Sequence, residues 1–251
     1  MIKNIPLKTS LEIARIRRAS EIVVSIFNRC IASVKVGTSP FEINELCGKL
    51  IKEYGFYDIR SAYPDFPAWM TISVNNVAVH GVPGSELMEK GDVVTLDLSL
   101  SVDGWFTDLA ETVVVGMPET AENPTVDAAR KVFLAGIAAL RTGNKLSDVG
   151  IAAQKAADKI GCTIISECTG HGIGRNPHEE PSILHTRGGK NIPVVSGMVL
   201  CIEPVVTFGS GEIMLMEDGW GYKTKDGSVT AQFEHTIAVF SDKTEILTDT
   251  H

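Results

Sequence analysis

DLSLSVDGWFTD, residues 97–108, reads as two strands joined by a tight turn, with a carboxylate in each strand. Asp97 follows the apolar run Val93-Val94-Thr95-Leu96, and Asp108 precedes Ala110-Glu111-Thr112-Val113-Val114-Val115. Between them Asp103-Gly104 is a hairpin-turn dipeptide. Strands disfavour Asp, and a half-buried carboxylate needs a partner or a proton. Two such acids on neighbouring strands point to a bound cation, against the plainer reading of acids on a solvated hairpin face.

Toward the N-terminus, after an arm of residues 1–9, Ile13, Ile16, Val23, Val24, Ile26 and Phe27 have amphipathic-helix spacing that ends near Val36-Gly37. A second helix follows, with Ser39 as its cap, Pro40 in its first turn, Glu42 completing a capping box and Gly55 beyond Leu50, Ile51 and Tyr54. Residues 57–69 read as a loop. Its Tyr63, Phe66 and Trp69, held by Pro64 and Pro67, fit a core lid and a pocket wall equally. Met70 to Val79 returns to strand character and leads into the turn His80-Gly81-Val82-Pro83-Gly84.

Past the hairpin, Asn123-Pro124 opens a helix through Leu140, and Ser147 opens another ending before Gly161. Gly37, Glu42, Ile43, Leu46 and Gly55 align without a gap on Gly143, Asp148, Val149, Ala152 and Gly161, a short internal echo. If it is a duplication, it predicts two like halves meeting at a seam, where ligand sites often form. Strands then follow at Thr163-Ile164-Ile165, Val199 to Ile202, Val205 to Phe208, Ile213 to Met216 and Ala231 to Phe240.

The 251 residues suffice for one large domain, and no linker divides them. A formal charge of −8 argues against sequence-general binding to nucleic acid. The five cysteines form no C-x-x-C pair, which indicates neither a disulfide framework nor a thiolate zinc site and fits a reducing compartment. No apolar signal core opens the chain and no run is long enough to span a bilayer, so a soluble, cytoplasmic protein is expected.

Five residues now stand out, each in or beside an apolar strand: Asp97, Asp108, His171, Glu203 and Glu234. Carboxylates gathered on one sheet repel by roughly 4 kcal/mol per pair at about 4 Å and an effective dielectric near 20, so protons or cations must intervene. Four acids and an imidazole suit Mn, Fe(II) or Co and accept Zn, and two bridging acids would set two metals about 3.5–4 Å apart, an arrangement that acidifies water.

With these residues goes a set of ordered motifs: NNVAVHGVP (75–83), the D-x10-D hairpin (97–108), GHGIGRNPHEEP (170–181), IEP (202–204) and QFEHT (232–236). Over nearly its whole length the chain resembles the type I methionine aminopeptidases of the short bacterial kind, in the creatinase and prolidase superfamily. The resemblance implies an α+β pita-bread fold spanning residues 1–251 as one catalytic domain, with helices of two pseudo-symmetric halves packed on a curved, mainly antiparallel sheet. It implies a hydrolase that removes N-terminal methionine ahead of a small second residue. It also implies two divalent ions (Co, Mn, Fe(II) or Zn) on Asp97, Asp108, His171, Glu203 and Glu234, with Asp108 and Glu234 bridging.

By the same resemblance Glu203 shuttles the proton, His80 and His178 face the substrate as catalytic histidines, and Tyr63, Phe66 and Trp220 line the pocket for the first side chain. Outside such a motif set, a histidine before Glu179-Glu180-Pro181 is more often a loop residue, and a lone aromatic more often packing. The implied partners are N-terminal peptides of nascent chains and, transiently, the ribosome. A monomer is expected, without membrane or sequence-specific nucleic acid. Lys223 and Lys225 beside Trp220 resemble a basic docking loop, though two lysines near Asp226 also read as a solvated turn.

Three positions depart from the family pattern. Thr71 stands where many relatives have a pocket cysteine, Arg60 is nearest to where another cysteine belongs, and Pro177 replaces an aromatic before the motif histidine. Pocket changes of this size move preference by about 1–3 kcal/mol. Two other readings remain: a pita-bread hydrolase such as an Xaa-Pro peptidase or creatinase, whose kind carries a sizeable N-terminal domain, and a binding homologue without catalysis, which the full ligand set disfavours.

Overall fold

The computed structural model describes residues 5–55, 57, 59–118 and 120–250. The first four residues of the predicted arm lie outside this range. In chain order the elements are α1 (Ser10–Ile31), α2 (Pro40–Glu53), β1 (Ile59–Ser61), β2 (Thr71–Val74), β3 (Val77–Val79), β4 (Val93–Val102), β5 (Trp105–Val114), α3 (Pro124–Ala139) and α4 (Leu146–Ile160). There follow β6 (Thr163–Ile164), β7 (Thr169–Gly172), β8 (Glu179–Leu184), β9 (Val199–Ile202), β10 (Val205–Thr207), β11 (Ile213–Leu215), β12 (Tyr222–Thr224), β13 (Thr230–Gln232), β14 (Glu234–Val239) and β15 (Thr244–Ile246).

The hairpin β4–β5 is built on Asp103 and Gly104 with φ of 52° and 72°, the double left-handed geometry that lets a two-residue turn match strand twist. That turn sets Ser99 opposite Asp108 and Asp97 opposite Ala110, so both acids share one face although their separation in the chain is odd. Leu96, Leu98 and Leu100 fill the other face and are fully buried against the core under α1 and α2. Glu234 pairs with the same Ala110 from β14, and His171 and Thr236 both pair with Cys201. The nine-stranded sheet runs β1-β4-β5-β14-β9-β7-β8, with β2 on β4 and β15 on β14. A second core, under α3 and α4, covers the half containing β9 and β14.

Local chemistry sets the helices. Ser39 Oγ accepts the Glu42 N–H at 3.3 Å and Glu42 Oε2 accepts the Ser39 N–H at 2.8 Å, a reciprocal cap on α2. In α4 only one half of such a cap is present: Asp148 accepts the Lys145 N–H at 2.8 Å, and the lysine side chain has no acceptor to return. Ser147 is not its cap: the helix begins at Leu146, and Ser147 Oγ bonds Asn191 Oδ1 instead. The echo between the halves appears in Gly37 and Gly143, both left-handed at 83° and 94°, and in Glu42 and Asp148, but Gly161 is left-handed and Gly55 is not.

Besides Ser147, four sequence expectations are corrected. α1 stops at Ile31, because the Val34 N–H turns back to Ile31 O and Ser33 Oγ donates to Cys30 O, and Val36 lies exposed. The loop 57–69 contains β1, whose residues pair with the outer end of β4. The strand expected over Met70–Val79 breaks into β2 and β3, with Asn75 left-handed at 55°. Lys223 belongs to β12, which pairs with β3 and β11, while Lys225 lies exposed in the turn that follows, its Nζ 3.2 Å from Glu212 Oε2, in keeping with a solvated turn.

Candidate metal centre

The carboxyl oxygens of Asp97, Asp108 and Glu234 lie within 4.8 Å of one another. Glu234 Oε1 and Glu203 Oε1 stand 4.0 and 3.3 Å from His171 Nε2. Asp97 and Asp108 come from the hairpin, His171 from β7, Glu203 from the residue after β9, and Glu234 opens β14. Register thus gathers residues up to 137 positions apart, Asp97 to Glu234, on the face left free of helix packing.

The neighbours hold these groups still. His171 Nδ1 lies 3.0 Å from Gly172 O, and since a carbonyl only accepts, Nδ1 carries a proton and Nε2 is the ring nitrogen that faces the acids. Thr236 Oγ1 accepts the Asp108 N–H and donates to Asp108 O, both at 2.9 Å. Gln232 Nε2 donates to Glu234 Oε2 at 3.3 Å, and Thr71 Oγ1 to Asp97 Oδ2 at 3.3 Å. The departing residue Thr71 therefore touches the centre itself, while Arg60 lies on β1 opposite Ser101.

Asp108 Oδ1, Glu203 Oε1 and Glu234 Oε1 are buried and receive no hydrogen bond. Buried acceptors without donors cost about 1–3 kcal/mol each, more when charged. The residues fit divalent cations: hard oxygens and one imidazole nitrogen converge, and three of those oxygens lack a hydrogen-bond donor among the described residues. Cys201 also lies near His171 and Glu234. Burial, then the charges of Glu234, Asp108 and Glu203, push its thiol well above the ordinary value, and its Sγ sits 3.6 Å from Thr236 Oγ1.

Without a cation, protons take the strain. Burial, then the charges of Asp108 and Glu203, push Asp97 well above the carboxylate range; Glu234 is raised by the same three causes in the same order. Asp108 rises to about 6 through burial. Burial opposes the charged form of His171, yet the contact with Glu203 and the charges of Glu203 and Asp108 outweigh it and lift the imidazole to about 9. Burial lowers His178 to about 4, helped by His171, and lowers His80.

His178 packs edge-on against His171 at 4.2 Å, with its Nε2 3.0 Å from Tyr63 Oη. His80, left-handed at 57°, lies 6.3 Å from the Tyr63 ring. A cavity of about 50 Å³ beside the acids is lined by Tyr63, Phe66, Trp69, Met70 and Thr71, and Trp220 meets Phe66 edge-on at 5.3 Å. It adjoins an open cleft of about 830 Å³ that shares His80, His171, His178 and Glu203.

One residue escaped the sequence reading. His185, 1% exposed, accepts the Glu203 N–H on Nε2 at 3.1 Å and donates from Nδ1 to Cys168 O at 3.3 Å. Its only signal was a histidine ending the apolar run Ile183-Leu184, which by itself says core.

A cluster of desolvated acids and imidazoles on a sheet between two helix-covered halves defines a metallohydrolase. The chain belongs to the metallopeptidase family M24, whose profile matches residues 14–240. Over 247 residues it is 35% identical to methionine aminopeptidase A of Synechocystis, covering 98% of each chain, and 34% identical to the Escherichia coli methionine aminopeptidase, covering 97% of this chain and 94% of that one. The crystal structure of methionine aminopeptidase from Rickettsia prowazekii superposes with a TM-score of 0.92 at 31% identity, over 98% of this chain and 100% of that one. Prolidase from Pyrococcus furiosus shares the fold, with a TM-score of 0.75 at 22% identity, and the chain covers 66% of it. The architecture is the pita-bread fold, and the family is one of divalent-metal peptidases.

Proposed function

We propose that the protein is a methionine aminopeptidase that removes the initiating residue from peptides and nascent proteins ahead of a small second residue. Two divalent ions would be held by Asp97, Asp108, His171, Glu203 and Glu234. The observation that carries this reading is the trio of buried, donorless carboxylate oxygens around His171, beside a small cavity walled in part by aromatic rings. When bound, the ions supply Lewis acidity toward the first carbonyl and lower the pKa of water.

The chain's own groups do the rest. The cavity of Tyr63, Phe66, Trp69 and Met70 takes the unbranched thioether side chain, and Trp220 braces Phe66. Asp97, which lines the cavity and accepts from Thr71, would meet the free α-amine of a chain end, which selects termini over internal bonds. Glu203 accepts the proton of the attacking water and passes it to the departing nitrogen. His178, neutral at physiological pH, donates to the oxyanion as it develops, while His80 contacts the scissile amide nitrogen. The rest of the peptide leaves along the wider cleft past Tyr222.

Nascent chains place the enzyme in the cytoplasm and, as a monomer, near the ribosome. The ion-reconstituted protein should cleave Met-Ala-Ser and stall on Met-Leu-Ser or an Xaa-Pro peptide, and chelation should abolish turnover. Equal or better cleavage of the Xaa-Pro peptide would move the assignment to another branch of the family.

A further inference from the structure

The N-terminal arm carries a lysine that is not on the surface. Lys8 Nζ lies 2.6 Å from Glu179 Oε2 and 3.1 Å from Pro6 O, and the paired side chains are 5% and 6% exposed. A buried ion pair persists only with good geometry and further hydrogen bonds, and both are present. Lys8 N–H donates to Gly197 O at 2.7 Å, and two glycines clear the path of the residue. A Cβ on Gly197 would stand 2.9 Å from Lys8 O, and one on Gly174 would stand 2.6 Å from Lys8 Cε.

Glu179 is the hinge of this arrangement. Its other oxygen accepts the N–H groups of Arg175 and Asn176 at 2.7 and 3.1 Å, so the segment 174–178 folds over one carboxylate. That segment ends at His178, whose ring contacts His171 and Tyr63. On its outer side the Phe106 N–H holds Gly174 O at 2.7 Å, Arg175 Nη1 donates to Gly104 O at 3.0 Å, and the guanidinium lies 3.7 Å over the Trp105 ring.

We propose that Lys8 is a positioning residue for the reaction: through Glu179 the N-terminal arm fixes where His178 stands over the metal centre. Taking away the ammonium leaves a buried carboxylate without its counter-charge. Glu179 must then turn toward water or take a proton, and either change releases the amides of Arg175 and Asn176 and lets His178 drift. A misplacement of about 1 Å costs on the order of 100-fold in rate. The metal ligands and the aromatic rings of the cavity come from other segments and only His178 is shared, so the loss falls mainly on kcat and leaves KM and metal content nearly unchanged. The inference rests on the aminopeptidase reading for the role of His178.

The test compares Lys8→Met, Glu179→Gln and the double variant with wild type and with Thr9→Ala. The last breaks the cap of α1 on the same arm without reaching Glu179. Metal-loaded proteins are assayed on Met-Ala-Ser well below their melting temperatures, and amide exchange is followed at Arg175 and Asn176. Lys8→Met should lose roughly 10- to 100-fold in kcat with KM within about twofold, and should exchange faster at both amides. The double variant should be no worse than the poorer single one, as for groups acting as a unit. Thr9→Ala should melt lower with kcat unchanged. A Lys8→Met protein that melts lower yet keeps wild-type kcat and protected amides overturns the proposal. If wild type cleaves no peptide, the aminopeptidase reading falls by itself and exchange decides the strap: faster exchange in Lys8→Met supports it, unchanged protection overturns it.

Discussion

Glu203 is asked to do two things at once, and its surroundings show how they are reconciled. Its Oε1 faces His171 Nε2 without a donor, while its backbone N–H is held by His185. Pro204 follows and fixes the exit of the chain. Glu203→Gln keeps the shape and one carbonyl oxygen but cannot take a proton. Metal content measured by elemental analysis should fall only in part, and kcat should fall by on the order of 10²- to 10⁴-fold. A near-normal kcat would remove Glu203 as the shuttle. His185 supports it only while neutral, and burial keeps its pKa low. His185→Gln retains an acceptor for the Glu203 N–H, whereas His185→Leu strands that donor in the core. The leucine variant should be less stable than the glutamine variant by about 1–3 kcal/mol in urea unfolding, and equal stabilities would show that the bond carries little.

The helices show how packing decides what a residue type does in an element. Gly136 in α3 and Gly150 in α4 both sit mid-helix, where alanine is preferred by about 1 kcal/mol. At Gly136 a Cβ would rest 3.5 Å from Val149 Cγ1, an ordinary contact, but at Gly150 it would stand 2.3 Å from Thr186 O and 2.5 Å from Leu184 O. Gly136→Ala should therefore gain about 0.5–1 kcal/mol, and Gly150→Ala should lose about 1–3 kcal/mol net by denaturant titration. A gain at Gly150 would mean that α4 stands further from β8 than the structure places it. The same contrast separates what the chain discloses from what it conceals. The four helices and the central hairpin declare themselves, because periodicity, caps at Ser39 and Asn123, and the Asp103-Gly104 turn are local. β1, β8 and β12 do not: each is short and exists because a partner strand offers a free edge. In β8 the Pro181 ring lacks an N–H, which reads as a loop in sequence and is tolerated because β8 closes the end of the sheet. The acids of the centre were visible as polar residues in apolar runs, whereas His185 and Lys8 were not. Their significance lies in contacts 18 and 171 residues away.

The centre belongs to neither half alone: the hairpin brings Asp97 and Asp108, and the second half brings His171, Glu203 and Glu234. Docking the halves forces these charges together, so the stability of the whole molecule is tied to what neutralises them. In the chelated protein that role falls to protons, because Asp97, Asp108 and Glu234 are raised above the unfolded carboxylate range and His171 is raised to about 9. His80, His178 and His185 are lowered and act in the opposite sense, but only below the ordinary imidazole value of 6.5, where the unfolded chain would take up their protons. From about pH 7 upward the folded state binds more protons than the unfolded one, and stability must fall as pH rises. Raised groups contribute fully below their unfolded pKa and lose the contribution on passing the folded one, so the loss continues through about pH 9, where His171 gives up its proton. With each tenfold in proton affinity worth about 1.4 kcal/mol, the chelated protein should lose roughly 2–3 kcal/mol between about pH 7 and 9. Divalent ions replace those protons and stabilise by mass action, about 2.7 kcal/mol at a hundred times Kd. Their competition with protons weakens as pH rises. The gap in melting temperature between Mn(II)-loaded and chelated protein should therefore widen from pH 7 to 9. A chelated protein that holds or gains stability over that interval would mean that its carboxylates are already charged and apart, and that the two halves do not meet on a shared cation site.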